Sequence, residues 1–277
     1  MKQYLQDIIN SIEEAELVVV GLGEEWNISP AVQSSEAYGR IIEDLKKKPE
    51  YQWILPYVYY KMTDESLMQA YQTLFSMLQG KNYFVVATTV NRSFVPFAKE
   101  GRVVMPCGND AFLLDKSLIC CADATVKATD VCGKQAQNEL SLGMEYSNFL
   151  RSLESYIKGE ILLDDVSFIR NSTGEIVPFN SVYAAGYREE GYLSDWSRYM
   201  SWLQGTMNRK TCLLELGAGL QFPSVFRFPF EKMAYFNRKA ICYRVHRSLY
   251  QLTEEMAERS KSVPMHSVEL FQDSCIL

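Results

Sequence analysis

The spacing of apolar residues along the chain predicts helices that alternate with short buried strands. An apolar stripe at helical spacing predicts a helix over residues 2–15, and the apolar run Leu17–Val20 then has the length of a strand. A second helix is predicted from Asp64 to a stop near Gly80, followed by a strand at Tyr83–Ala87. Strands that are apolar throughout indicate a mostly parallel sheet covered by helices on both faces.

The same alternation returns in the last third of the chain. Strands are predicted at residues 211–216, 240–245 and 267–270, in addition to a short one at 102–105. Helices are predicted from Ser194, read as an N-cap, to Gly205, from Pro229 to Phe236 and over residues 253–259. The fold class expected is therefore α/β, with a doubly wound, mostly parallel Rossmann-like sheet.

Residues 109–190 interrupt this alternation with a mixed, turn-rich composition. We interpret them as an inserted small module, and residues 1–108 with 191–277 as one large domain. Residues 24–62, rich in aromatic side chains and proline, are expected to form packed loops and short helices that could cover that domain.

Composition excludes several classes of function. The chain has 277 residues and a net charge of −6, and no stripe of Lys and Arg suggests a nucleic-acid surface. No apolar run approaches the roughly 20 residues that span a bilayer. Asp7, Glu13 and Glu14 interrupt the apolar core that a signal peptide needs. The 7 cysteines are an odd count, and Cys212 and Cys242 lie in apolar strand-like runs, which suits buried, reduced thiols. We expect a cytoplasmic protein that binds neither nucleic acid nor membrane.

The candidate site lies where the predicted strands end. In parallel sheets ligands bind at the carboxyl ends of the strands, which here read Gly21–Gly23, Thr88–Asn91, Met105–Gly108, Gly217–Gln221 and Val245–His246. The best of these is the strand, glycine turn and helix over residues 211–245, because glycines let a backbone approach a phosphate closely. The sequence has no Walker-type loop and only part of the dinucleotide fingerprint.

Segments at these strand ends resemble the sirtuins, and most closely the divergent bacterial sirtuins encoded beside macrodomain proteins. The resemblance is carried by LLELGAGLQFPSVFRFPFEKMAYFN, YFVVATTVNRSF and VVVGLG, and it covers about two thirds of the chain. It implies an NAD-binding domain, a small module that usually carries zinc, cleavage of the nicotinamide–ribose bond of NAD, and transfer of ADP-ribose to an acyl-lysine or to a protein. For this branch it implies a lipoyl-carrier protein as the acceptor.

The resemblance also assigns site residues. Those implied for binding NAD or ADP-ribose are Gly21, Gly23, Thr89, Gly217, Ala218, Gly219, Gln221, Arg227 and His246. Those implied for catalysis are Asn91, which would orient the water or ribose on the nicotinamide side, and Cys107, which takes the position of the general base. From its chemistry alone, Arg227 suits either a phosphate or an ion pair within the protein.

The chain departs from the sirtuin pattern at the reactive side of this site. Glu24 and Glu25 follow the first glycine turn, where two carboxylates would repel a diphosphate. Thr89 replaces an asparagine, Asn91 an aspartate, and Cys107 a histidine or glutamine. A thiol serves as base or nucleophile only where its pKa is lowered, and no cation lies nearby in the sequence.

Zinc is not expected. Cys120 and Cys121 are adjacent, Cys132 stands alone, and residues 165–178 contain no cysteine, which does not give the paired spacing of a zinc ribbon. Two hypotheses follow for function. The protein is either an NAD-dependent ADP-ribosyltransferase or NAD glycohydrolase, or an inactive pseudoenzyme that keeps the fold for ligand sensing or protein interaction. A crevice adapted to another nucleotide or an acyl ligand is a third.

Overall fold

A computed structural model describes residues 2–113 and 135–272 of the chain. These fall into two compact units, each assembled from separate stretches of sequence. The first unit comprises Met1–Ser29, Met62–Cys107 and Tyr192–Leu277, and the second comprises Pro30–Lys61 and Gly108–Gly191.

Helices and strands alternate through most of the described chain. The helices are α1 (Lys2–Glu14), α2 (Pro30–Gln33), α3 (Glu36–Lys47), α4 (Leu55–Lys61), α5 (Glu65–Met77), α6 (Gln135–Lys158), α7 (Leu193–Gln204), α8 (Arg227–Phe236) and α9 (Ser267–Leu270). The strands are β1 (Leu17–Leu22), β2 (Asn82–Ala87), β3 (Val103–Val104), β4 (Gly108–Leu113), β5 (Phe179–Ser181), β6 (Thr211–Leu216), β7 (Ala240–Val245) and β8 (Ser260–Val263).

The first unit is built on a parallel sheet that confirms the predicted fold class. In the described residues this sheet has six strands in the order β3-β2-β1-β6-β7-β8, and every neighbouring pair runs parallel. The chain winds outward from β1 in one direction and from β6 in the other. The boundary between β1 and β6 is therefore the topological switch point, where open α/β sheets form their crevice.

Helices cover both faces of this sheet because successive strand residues point to opposite sides. On β1, Val18 and Val20 pack into a core with the apolar stripe of α1 and with α5 and α9. Val19 lies on the other face, in a core with Tyr199 of α7 and Phe230 of α8. Both faces are buried, so the strands are mostly apolar, and the charged side chains of Glu215 on β6 and Arg244 on β7 pair with each other.

The second unit combines the helices α2, α3, α4 and α6 with the antiparallel pair β4 and β5. Its core is aromatic. Trp53 and Tyr57 pack against Phe149 of α6 and Phe179 of β5, with ring centroids 5.0–6.0 Å apart. The cysteines considered for zinc, Cys120, Cys121 and Cys132, lie outside the described residues.

Three local predictions near the C-terminal part are wrong. Residues 267–270 form the helix α9 and not a strand. A run of four residues is too short to distinguish the period of a helix from that of a strand. Only a single 3-10 turn at Glu254–Met256 lies within the helix expected over 253–259, and it leads to β8. Three of the four residues of this edge strand are polar, so it has no apolar run that would predict a strand. Ser194 lies inside α7, whose N-cap is Tyr192.

Candidate functional site

The two glycine turns predicted from the sequence lie side by side at the carboxyl ends of β1 and β6. Gly23 donates its N–H to the carbonyl of Leu216 at 2.8 Å, and a Cβ on Gly23 would lie 2.1 Å from the carbonyl oxygen of Gly217. Gly217 has a φ of 68°, which a residue with a side chain rarely adopts. The glycines at these positions are therefore required by backbone packing within the protein.

We expect this contact to make the first turn intolerant of a single methyl group. Gly23→Ala should destabilise the protein by about 2–3 kcal/mol, because backbone atoms must shift to admit the Cβ. Gly39→Ala is the matched control. Gly39 lies inside α3 with no atom near its Cβ position, so alanine should stabilise by about 0.5–1 kcal/mol. Urea unfolding followed by tryptophan fluorescence measures both, and equal midpoints for the two variants would contradict the packing described.

Glu24 follows the first turn and points its carboxylate into the second. Its Oε2 accepts the N–H of Gly219 at 2.6 Å, a short bond of the kind that a charged acceptor forms. The direction of this side chain is fixed by Trp26, whose ring is fully buried between Tyr71 and Phe271. The segment Glu24–Trp26 forms a single 3-10 turn, so anchoring its last residue orients its first.

Glu25 accepts hydrogen bonds from the neighbouring donors. Its Oε2 accepts the N–H and the hydroxyl of Ser267, both at 2.8 Å, and its Oε1 accepts the N–H of Arg247 at 3.0 Å. These donors belong to the start of α9 and to the loop after β7. The side chain of Glu25 therefore ties together segments that follow three different strands, β1, β7 and β8.

The adjacent histidines do not supply a positive charge that would offset these carboxylates. The Nδ1 of His246 lies 3.5 Å from Glu25, and that of His266 lies 4.0 Å away. Burial lowers the pKa of each imidazole below its ordinary value, against the opposing effect of Glu25, so both rings are neutral at pH 7. His246 Nδ1 also accepts the N–H groups of Ser248 and Leu249, both at 2.9 Å.

The carboxylates of Glu24 and Glu25 thus take the places that ligand oxygens would take. Backbone N–H groups at glycine turns and helix starts normally present an anion-binding surface at this edge of a sheet. Here they donate to the protein's own side chains. A diphosphate would have to displace both carboxylates before it reached these donors.

Arg227 forms an internal ion pair, one of the two alternatives open from the sequence. Its guanidinium donates to Glu215 at 2.9 Å and to the carbonyls of Ala218 and Leu249 at 3.1 and 3.0 Å. Glu215 also receives two bonds from Arg244, its register partner on β7. The buried network of Glu215 and the two arginines therefore holds the second glycine turn from beneath.

Asn91 and Thr89 belong to a buried hydrogen-bonded group with Asn27. The Thr89 hydroxyl donates to Asn27 Oδ1 at 2.8 Å, and Asn91 Nδ2 donates to the Asn27 carbonyl and to Thr63 Oγ1, both at 2.9 Å. Asn91 Oδ1 accepts the N–H of Ser93 at 3.0 Å. Thr89 and Asn91 are fully buried, so in this arrangement their polar atoms serve the loop.

Cys107 is a buried neutral thiol. Its side chain is 2 % exposed, and burial, with a smaller contribution from the charge of Glu24, raises its pKa well above the ordinary value. A base or nucleophile at neutral pH needs the opposite shift. The carboxylate that approaches the glycine turns therefore also suppresses thiolate formation at this position.

We expect Cys107 to resist alkylation in the native protein. A raised pKa lowers the thiolate fraction, so iodoacetamide at pH 8 should label Cys107 at least about a hundredfold more slowly than a free thiol. Peptide mapping by mass spectrometry measures the labelling, and the same protein in guanidinium chloride, where every thiol is accessible, is the control. Native labelling at the rate of a model thiol would show that the thiol is accessible and would contradict the burial described.

The other residues assigned by the resemblance have ordinary structural places. Gly21 lies within β1, where a Cβ would lie 2.3 Å from the Phe226 ring. Ala218 is buried, and Gln221 is exposed. Asn27 and Ser267 were missed. Asn27 is followed by Ile-Ser, a chance match to a glycosylation pattern, and Ser267 lay within a segment expected to be strand.

No metal site is found in the part of the chain that the structure describes. Within residues 2–113 and 135–272 no His, Cys, Asp and Glu side chains form a group of three that could hold an ion. Among those same residues, no helix is both long and apolar enough to cross a bilayer.

Comparisons with known proteins identify the fold. No protein-family profile and no curated protein sequence matches the chain. A solved structure of a Sir2 point mutant with a p53 peptide and NAD matches with a TM-score of 0.50 at 11% identity, over 97% of this chain and 95% of that one. A Sir2 complex with an inhibitor, 2'-O-acetyl-ADP-ribose and a deacetylated p53 peptide has a TM-score of 0.47 at 13% identity, over 98% of this chain and 96% of that one. The first likeness shows a sirtuin fold.

Proposed function

We propose that this protein is a sirtuin-fold module that does not cleave NAD and that acts by binding another protein. One observation carries the proposal. The carboxylates of Glu24 and Glu25 hold the N–H groups of Gly219, Arg247 and Ser267 at the carboxyl edge of the sheet. Residues arranged in this way do not fit the diphosphate of a dinucleotide, since like charges repel where water is scarce.

The residues on the reactive side support the same proposal. Asn91 and Thr89 both form hydrogen bonds with Asn27 in the neighbouring loop. Cys107 is buried, and its pKa is raised. A site that cleaves the bond between nicotinamide and ribose needs an accessible polar group and a working base. The burial of Asn91, Thr89 and Cys107 leaves these three residues unsuited to such roles in this arrangement.

The direct test is nicotinamide release. The purified protein is incubated with NAD at millimolar concentration, and products are separated by chromatography. We expect release no faster than in buffer alone, both for the natural sequence and for Cys107→Ala. Turnover of NAD by the natural protein that Cys107→Ala abolishes would overturn the proposal and would give Cys107 a catalytic role.

The second candidate is an NAD- or ADP-ribose-binding ADP-ribosyltransferase, as the sequence resemblance implies. It is favoured by the sirtuin fold and by the meeting of the two glycine turns at the switch point between β1 and β6. On this hypothesis a ligand displaces Glu24 and Glu25, and ADP-ribose is transferred to a protein such as a lipoyl-carrier protein. Labelled NAD with a purified lipoyl domain tests it, and incorporation of label would favour it over the inactive module.

A further inference from the structure

Exposed apolar side chains of the first unit lie on two neighbouring segments that precede β6 and β7. Phe236 at the end of α8 is 68% exposed, Met207 is 64% exposed and Tyr235 is 50% exposed. Asn237 Nδ2 donates a hydrogen bond of 3.1 Å to the carbonyl of Thr206. Phe236 directly precedes Asn237 and Met207 directly follows Thr206, so this bond joins the two segments that carry the exposed side chains. Large exposed apolar side chains that lie together mark interaction sites, and Met and aromatic residues are enriched there.

Basic residues border these side chains. Lys210 and Lys239 directly precede Thr211 and Ala240, which are register partners on β6 and β7, so the two lysines are neighbours at the edge of the sheet. Arg238 completes the group. Across the described residues none of these three cations is within 4.0 Å of a carboxylate.

The acidic residues nearby are engaged. Glu16 pairs with Arg209 at 2.9 Å, and Glu258 lies 3.7 Å from Arg259. The surface is therefore locally positive on a chain whose net charge is −6. We name it the aromatic-basic corner, formed by Met207, Lys210, Tyr235, Phe236, Arg238 and Lys239.

The corner is held in shape by buried hydrogen bonds. Asn237 is 4% exposed, and besides Thr206 its amide donates to the Arg209 carbonyl at 3.0 Å, while its Oδ1 accepts the N–H of Lys239 at 3.1 Å. Asn208, next to Met207, has a φ of 57°, a conformation that few residues other than glycine adopt. Order in the free protein lowers the entropy cost of binding, which suits a docking surface.

We propose that the aromatic-basic corner docks an acidic amphipathic segment of a partner protein. This inference rests on the proposed role as an interaction module and names its surface. Apolar side chains of such a segment would cover Met207 and the rings of Tyr235 and Phe236, and its carboxylates would face Lys210, Arg238 and Lys239. A peptide is favoured over an anionic membrane because anionic membranes are recognised by clusters of about four to eight Lys and Arg residues. The corner presents three such residues.

A labelled synthetic peptide tests the proposal with the whole protein. The probe is a helical peptide of about 18 residues with Leu and Phe at helical spacing and Glu elsewhere, and its counterpart carries Lys in place of Glu. Fluorescence anisotropy should show saturable binding of the acidic probe only, weaker at higher salt. Arg238→Glu with Lys239→Glu should weaken binding at least about tenfold, and Phe236→Ala about fivefold.

Matched variants elsewhere control for charge and for exposed aromatic area. Lys46→Glu with Lys47→Glu changes the charge equally on α3, and Tyr60→Ala removes an aromatic side chain that is 55% exposed. Both should leave the affinity unchanged. Equal binding by all variants, or none up to about 1 mM peptide, would overturn the proposal. The proposal would also be overturned if the peptide did not bind and the protein instead bound phosphatidylserine vesicles, or associated with itself, in a way that Phe236→Ala abolished. Nicotinamide release is measured in parallel. Because it reports on the glycine turns and not on the corner, it separates failure of this docking proposal from failure of the proposed function.

Discussion

Glu24→Ala combined with Glu25→Gln should convert the protein into one that binds ADP-ribose. Alanine frees the N–H of Gly219, and glutamine keeps an acceptor for Ser267 while it removes the second charge. Like charges about 4 Å apart repel by several kcal/mol at intermediate dielectric, so removing them should lower the dissociation constant at least tenfold, from above about 1 mM to below about 100 μM. Isothermal calorimetry with ADP-ribose measures the change.

The control for this gain is Glu13→Ala combined with Glu14→Gln. These two exposed residues at the end of α1 give the same change in net charge at the other edge of the sheet. The control should bind no better than the natural sequence. Equal gains in both double variants would mean that overall charge, and not occupation of the glycine turns, weakens binding. No gain in either would mean that the donors are not available to a diphosphate even when the carboxylates are gone.

Glu215→Ala should have the largest effect on stability. Glu215 is fully buried between Arg244, whose side chain is 2% exposed, and Arg227, whose side chain is 9% exposed. Its loss removes the carboxylate that both guanidinium groups share, so Arg227 keeps only carbonyl acceptors and Arg244 keeps only Glu231 as an ion-pair partner. Removing one partner of a buried ion pair costs about 3–5 kcal/mol. Urea unfolding gives the free energy. Glu215→Gln, which keeps an acceptor oxygen and the volume, should lie between alanine and the natural residue.

Asp195→Ala is the matched control for the loss of an ion pair. Asp195 pairs with Arg198 at 2.8 Å on α7, but both side chains are about half exposed, where water replaces the partner. Its midpoint should stay close to that of the natural sequence. If Asp195→Ala destabilised as much as Glu215→Ala, the buried network would have no special part in holding the second glycine turn.

Periodicity was enough to predict the sheet and the glycine turns. The runs at 17–20, 83–87, 211–216 and 240–245 are apolar and bounded by turn residues, and each lies within or coincides with a strand. Pro229 and Gly205 also fall where predicted, in the first turn of α8 and at the end of α7. Such features depend on neighbours in sequence, so a single chain reveals them.

The side chains that accept hydrogen bonds from the N–H groups at the turns could not be predicted in this way. The sequence shows that Glu24 and Glu25 stand beside a glycine turn, but not that their carboxylates point inward. That direction is set by Trp26 in the core and by donors more than 190 positions away, Gly219, Arg247 and Ser267. Arg227 is similar, since its choice between a phosphate and Glu215 depends on the burial of Glu215. Contacts of this kind are decided by tertiary packing.

Calorimetric titration of the natural protein with ADP-ribose tests most directly whether its own carboxylates fill the donors at the glycine turns. Because Glu24 accepts the N–H of Gly219 and Glu25 accepts those of Ser267 and Arg247, we expect no heat of binding up to about 1 mM ligand. Saturable binding with a dissociation constant below about 100 μM would contradict it, because the diphosphate would then be displacing both side chains without difficulty.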